Sequence, residues 1–258
     1  MPSSTSLAPV HVASRADDPP YLLVAWQNPQ TRAVAPVGVL KQREDGYTFG
    51  YLKRALTVKD FRPFLGFDDL HGHYVSAQLF PLFRQRIVDQ DRPDFHEYLG
   101  ALGLAEGASP LAVLDRSGGR RLGDSIYLFR KPEVAQDGTT RTTFFVHGPR
   151  YQDGAMARIG RLHPGEVLSV RPQPDNPFNK RAVLVTADDE QVLGWVPDVL
   201  AEYVQHILTV APPAVRVRQV NSDDTPPNLR LLVDLSGHVS VGYRPFAGPE
   251  WEALTYEG

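Results

Sequence analysis

RPQPDNPFNKRAVLV, residues 171–185, reads as the end of one strand, a turn and a second strand. Val167 to Val170 before it and Ala182 to Val185 at its end are apolar and β-prone. Between them Pro172, Pro174, Asp175, Asn176, Pro177 and Asn179 form a dense set of turn formers. Such a turn holds polar and aromatic side chains outward on a rigid base. Two aromatic-bearing segments flank it, HGPRYQDG at 147–154 and GWVP at 194–197.

The 258 residues suffice for two domains, each with its own core. The apolar share of 42% and charged share of 22% are ordinary for globular protein. There is no apolar run of about 18 residues, the length a membrane span needs. The first twenty residues, rich in Ser, Pro and Ala, lack the basic-then-apolar pattern of a signal peptide and are read as a mobile tail. The absence of Cys excludes disulfides and thiolate metal sites and accords with a cytoplasmic location.

The net charge of −3 rules out a uniformly basic nucleic-acid binder, but the charge is unevenly placed. Residues 141–185 hold seven Arg and Lys against three acids, whereas residues 186–212 hold five acids and no Lys or Arg. This polarity suits a small anionic footprint rather than a long duplex.

Taken in order, residues 21–51 read as β-structure, with an Asp45–Gly46 turn between strand-like ends. LKRALTVKDF suggests a short helix, and residues 61–73 a loop. Helical spacing of Leu79, Leu82, Phe83 and Ile87 predicts a helix over 75–88, with Pro81 near its start. A second helix is expected after Pro93, and a third at SPLAVLDR, capped by Ser109 with Pro110 at its first position. SGGRRLG then turns into a strand. PEVAQDGTTRT, around residues 133–142, reads as a linker. Beyond it the pattern predicts strand 143–149, helix 154–162, strands 166–172, 181–186 and 191–196, and helix 198–208. A hairpin at 214–220 and 229–235 adds to a sheet.

PDNPFNKRAVLV, followed by VLGWVP and preceded by FFVHGPRY, resembles the HIRAN domain over residues 141–210. The resemblance implies a small OB-like β-barrel that captures single-stranded DNA, 3′ ends in particular. PVGVLKQREDGYTFGYL, LFPLF and LGLAEGASPLAVLDRSGGRRLGDSIYLF together resemble the N-terminal subdomain of HipA-type serine/threonine kinases over residues 21–132. In that family catalysis lies in the following kinase core, so no catalytic residue carries over. The expected fold is therefore α+β: a tail at 1–20, a HipA-like α+β domain at 21–132, a linker at 133–142, and an OB-like HIRAN domain with a C-terminal hairpin at 143–258.

Each candidate site residue has an ordinary reading beside the functional one. Tyr151 is a base-stacking ring beside a phosphate-binding Arg150, or a half-buried tyrosine beside a solvated arginine; the HIRAN resemblance favours the first. Asn176 and Asn179 bond their own turn, or both contact the DNA strand, with Asn179 at a 3′-hydroxyl. Family members often carry Tyr and Asp where this chain has Phe178 and Asn179, so stacking is kept and a carboxylate lost. Trp195 is a core residue by default and a third stacking surface by resemblance. Arg171, Lys180 and Arg181 are phosphate contacts or merely solvated.

Enzymatic signals are poor. The Asp17–Asp18, Asp68–Asp69, Asp188–Asp189 and Asp223–Asp224 doublets sit in tails or turns, and His71 and His73 lack a partner cluster. SGGRRLG lacks the phosphate-loop pattern. No catalytic residue, cofactor or metal is expected. The favoured function is non-enzymatic binding of single-stranded DNA or its 3′ ends. The alternative is an antitoxin-like regulator that docks on a HipA-type kinase core through residues 21–132.

Overall fold

The structure, a computed structural model, describes residues 20–254 except Leu122 and Asp124. Apart from Pro20 the expected tail lies outside these residues. Strands β1 (Tyr21–Gln27), β2 (Val34–Arg43) and β3 (Gly46–Tyr51) form an antiparallel meander. Tight β2–β3 closure is allowed by Gly46, whose φ of 142° no side chain adopts easily. A 3₁₀ turn at Lys53–Thr57 takes the place of the short helix expected there.

The helix expected over 75–88 is a correction. Residues His73–Ser76 are instead a strand, β4, paired to β3, and helix α1 covers only Pro81–Arg84. Pro81 lacks an N–H, and its ring would strike the carbonyl four residues back, so it opens a helix and cannot sit inside one. Tyr74 and Val75 then follow their β preference.

Helices α2 (Phe95–Ala101) and α3 (Pro110–Ser117) follow, with the Ser109 hydroxyl accepting from the Ala112 N–H at 3.1 Å. Strand β5 (Ile126–Phe129) pairs with β1 and completes a five-stranded sheet of order β4-β3-β2-β1-β5.

Residues 133–142 are not an open linker: they hold β6 (Glu133–Val134) and the start of β7 (Thr139–Phe145), paired as a hairpin. After α4 (Ala155–Ile159) come β8 (Val167–Pro172), β9 (Val183–Thr186) and β10 (Val192–Trp195). Helix α5 (Asp198–Val210) precedes the hairpin β11 (Ala214–Val220) and β12 (Leu231–His238). The second sheet has the order β10-β9-β8-β11-β12-β7-β6. The terminal hairpin is thus its middle, inserted between β8 and β7.

The expected OB-like barrel is not closed. Strand β10, at one edge of the sheet, meets the chain just past β7 through one isolated bridge, His147 with Trp195. Gly148, with φ of 65°, turns the chain into a 3₁₀ helix at Pro149–Tyr151, so the ladder has no second rung.

β1 is buried on both faces, and so joins the two halves. Leu22 and Val24 enter a cluster with Phe49, Tyr51, Phe83 and Leu114. Leu23 and Ala25 enter the cluster built on α5 and the second sheet. Residues after β12 return to the first sheet. Leu52 bridges Ala253, the Leu254 N–H donates to the Tyr51 carbonyl at 2.7 Å, and Arg54 lies 4.0 Å over the Trp251 ring.

Candidate nucleic-acid interface

β8 ends and β9 begins with Pro172 opposite Val183. The intervening loop is held by its own polar groups. The Gln173 N–H donates to the Ala182 carbonyl at 2.8 Å and the Asn176 N–H to the Gln173 carbonyl at 3.1 Å. Asn176 is buried, and its Oδ1 accepts from the N–H groups of Phe178 and Asn179 at 3.0 and 3.1 Å. It is the anchor of the loop, placed inward rather than toward a ligand. With the backbone satisfied this way, Phe178 is left outside at 77% exposure. Water contact at a ring this size is unfavourable, which makes the position notable.

Asn179 is half-buried. Its Nδ2 donates to Asp198 Oδ1 at 3.0 Å, and its Oδ1 accepts from the Arg181 N–H at 2.9 Å. The carboxylate beside the turn therefore comes from the first turn of α5.

Trp195 links the loop to the other flank. Its Nε1–H donates to Gln173 Oε1 at 2.8 Å, the same oxygen that accepts from Asn176 Nδ2 at 2.9 Å. Its main chain exchanges two hydrogen bonds with His147, at 2.8 and 2.9 Å. A Cβ on Gly148 would lie 2.9 Å from the Trp195 ring and 3.4 Å from Tyr151, so only glycine lets the chain cross here. Tyr151 follows at 67% exposure, with the Arg150 guanidinium 4.6 Å over its ring and bonded to its hydroxyl. Trp195 is half-buried.

The structure thus gathers Tyr151, Trp195 and the 173–179 loop around one bonded frame. Arg150, Arg171 and Lys180 are exposed and carry no ion pair among the described residues. Arg181 differs, being paired with Glu202. Arg158 is likewise taken by Asp188 and Asp189 at 2.7 and 2.9 Å, so this doublet is paired rather than simply solvated. No group of three or more metal-ligating side chains occurs among the described residues, and no described helix is long and apolar enough to cross a membrane.

Three residues of the site were not singled out from the sequence. Gln173 gave only the signal of lying between two prolines. Asp198 reads as an ordinary first-turn acid behind Pro197. His147 sits in the quoted HGPRY stretch. Its ring is edge-on to Tyr127 at 5.9 Å, and burial, with Arg120 nearby, pushes its pKa down to about 3.

A family model described as the HIRAN domain matches residues 140–240, so the match takes in β11 and β12 as well as the expected core. Among solved structures, a protein from Lactobacillus plantarum is 19% identical, over 39% of this chain and 100% of that chain, with a TM-score of 0.31. The HIRAN domain of human HLTF is 21% identical, over 39% of this chain and 77% of that chain, with a TM-score of 0.28. No curated protein matches. The match begins after residue 132, and neither the HipA-like reading of residues 21–132 nor a HipA-type kinase partner finds support. It is residues 140–240, which contain every side chain singled out for DNA contact, that match the HIRAN domain model.

Proposed function

We propose that this protein binds single-stranded DNA at its 3′ end, without turnover of its own. The observation that carries the reading is the pair of exposed rings, Tyr151 and Phe178, mounted on a frame whose own hydrogen bonds are satisfied. Flat faces suit unpaired bases of any identity, at about 1–3 kcal/mol per stack. The HIRAN match supports DNA binding at the level of the family. Arg150, Arg171 and Lys180 supply charge for about two or three phosphates.

Asp198, oriented by Asn179, gives the end its character in this reading. A 3′-hydroxyl donates to a carboxylate, whereas a 3′-phosphate is repelled by it. Asn179 directs its amide N–H to Asp198 and its oxygen to the Arg181 N–H, so its role in this reading is to position the acid. Titration of labelled strands with 3′-hydroxyl and 3′-phosphate ends, and of a blunt duplex, tests the proposal. The hydroxyl end should bind best and the blunt duplex worst, since its terminal bases must first unstack. Equal affinity for all three would remove the end-binding reading.

A further inference from the structure

Helix α3 and β5 stand over the outer face of β7 and β12. One end of the gap is filled: Leu99, Leu102, Ala112 and Val113 meet Phe145 and Leu232. The rest remains open as a cleft of about 450 Å³. Phe144 and Val146 point into the main core, which turns Arg141, Thr143 and His147 toward the cleft.

Five arginines line it, Arg116, Arg120, Arg130, Arg141 and Arg218. The carboxylates facing them are Asp115, Glu133 and Asp234. Arg130 is held by Asp115 at 3.1 Å, Arg218 reaches Asp234 at 3.5 Å, and the buried Arg116 donates to the Leu102 carbonyl at 3.3 Å. Arg120 and Arg141 are exposed and carry no ion pair among the described residues, although Glu133 lies opposite Arg141 in the strand register. The Arg120 guanidinium instead sits 5.4 Å over the Tyr127 ring.

The cleft shares a wall with the aromatic site. His147 lines the cleft, its ring edge-on to Tyr127 of the same lining, while both its main-chain groups are bonded to Trp195. Since burial keeps this imidazole neutral, the uncompensated charge at the shared wall is that of the arginines.

Resting on the DNA reading above, we infer that this cleft is a second, phosphate-binding site, in which Arg120 and Arg141 receive the phosphates of the strand inward from its stacked end. Residues from both halves of the chain then form one path for the strand. Phosphate groups are the chemistry recognised, and free polyphosphate is the other source of them.

The test uses the full chain, its Arg120→Gln/Arg141→Gln double variant and Tyr151→Ala. Strands of two and eight nucleotides, both with 3′-hydroxyl ends, are titrated at several salt concentrations, and inorganic pyrophosphate is titrated alone and as a competitor. The longer strand should show a salt slope steeper by about 1.4, two phosphates at about 0.7 each for single strands. The double variant should lose that difference and bind the dinucleotide as the parent does. Its melting temperature, unchanged because both arginines are exposed, checks the fold. If the double variant keeps the steep slope while Tyr151→Ala weakens both strands, the cleft inference fails and the end-binding reading stands. If no strand binds the parent, but pyrophosphate does and the double variant loses it, the cleft serves a free anion and the strand path is overturned. Binding of neither overturns both.

Discussion

The indole N–H of Trp195 and the side-chain amide of Asn176 both donate to a single acceptor, Oε1 of Gln173, at 2.8 and 2.9 Å. One oxygen thereby fixes a half-buried ring on β10 to the loop that carries Phe178. Gln173→Ala leaves two donors without their acceptor and should lower stability by about 1–3 kcal/mol, with DNA affinity falling as well. Gln173→Glu offers acceptors for both donors and should keep the loop. Chemical denaturation of the two variants checks this; equal loss in both would show that the shared acceptor does not hold the frame.

Tyr151→Ala removes one exposed face. Affinity for a short single strand should fall by about 1–3 kcal/mol, with little change in melting temperature because the ring is largely outside the core. Phe178→Ala should behave alike, and Phe178→Tyr should bind at least as well as the parent. Fluorescence anisotropy with a 3′-hydroxyl strand is the measurement, and parent-like binding by Tyr151→Ala would contradict the stacking role.

Asp198→Asn should narrow the difference between 3′-hydroxyl and 3′-phosphate ends by about 1 kcal/mol, the order expected for two charges about 4 Å apart in a fully water-exposed setting. Asn179→Ala should act in the same direction by releasing the carboxylate. An end preference that survives both changes would place the discrimination elsewhere.

Acid should destabilise the fold through His147. Burial lowers its folded-state pKa to about 3 from the ordinary 6.5, so the unfolded chain binds the extra proton first. Stability from this group is full above about pH 6.5 and is lost as pH falls toward 3, amounting to about 2 kcal/mol between pH 7 and pH 5. A His147→Phe variant, which cannot take up that proton, should lose less stability over the same interval in parallel denaturation curves.

Trp251 packs edge-on to Phe246 at 5.1 Å and lies under Arg54. Trp251→Ala should cost about 2 kcal/mol, in proportion to a half-buried ring, and should loosen the contact between residues 251–254 and the first sheet. Hydrogen exchange at the Leu254 N–H, which is bonded to Tyr51, reports that loosening directly.

The strands and turns with strong local chemistry were legible from sequence. Ser109–Pro110 marked α3, the 171–185 stretch marked the β8–β9 turn, and alternation marked β11 and β12. The apolar spacing over 75–88 mimics a helix, but the missing N–H of Pro81 confines the helix to Pro81 and the residues that follow it. Residues 133–142 looked like a linker because turn formers were abundant, yet their backbone finds partners in β12, nearly a hundred residues away. In the site, exposed rings and cations were visible as residue types. Gln173 and Asp198 were not, because their roles arise from partners that only the fold supplies.

β12 sits mid-sheet, and this placement has a consequence for how the protein acquires its shape. Thr143 meets Asp234 across 91 positions of chain, and Lys53 meets Glu252 across 199. Contacts this distant in sequence must close large loops before they yield any stabilisation, which slows folding. During synthesis β7 and β8 are made well before the hairpin that separates them, so each presents a bare edge to other nascent chains for that interval. Moving the hairpin earlier by circular permutation would shorten the interval, and is the natural route to a faster-folding form of the same architecture.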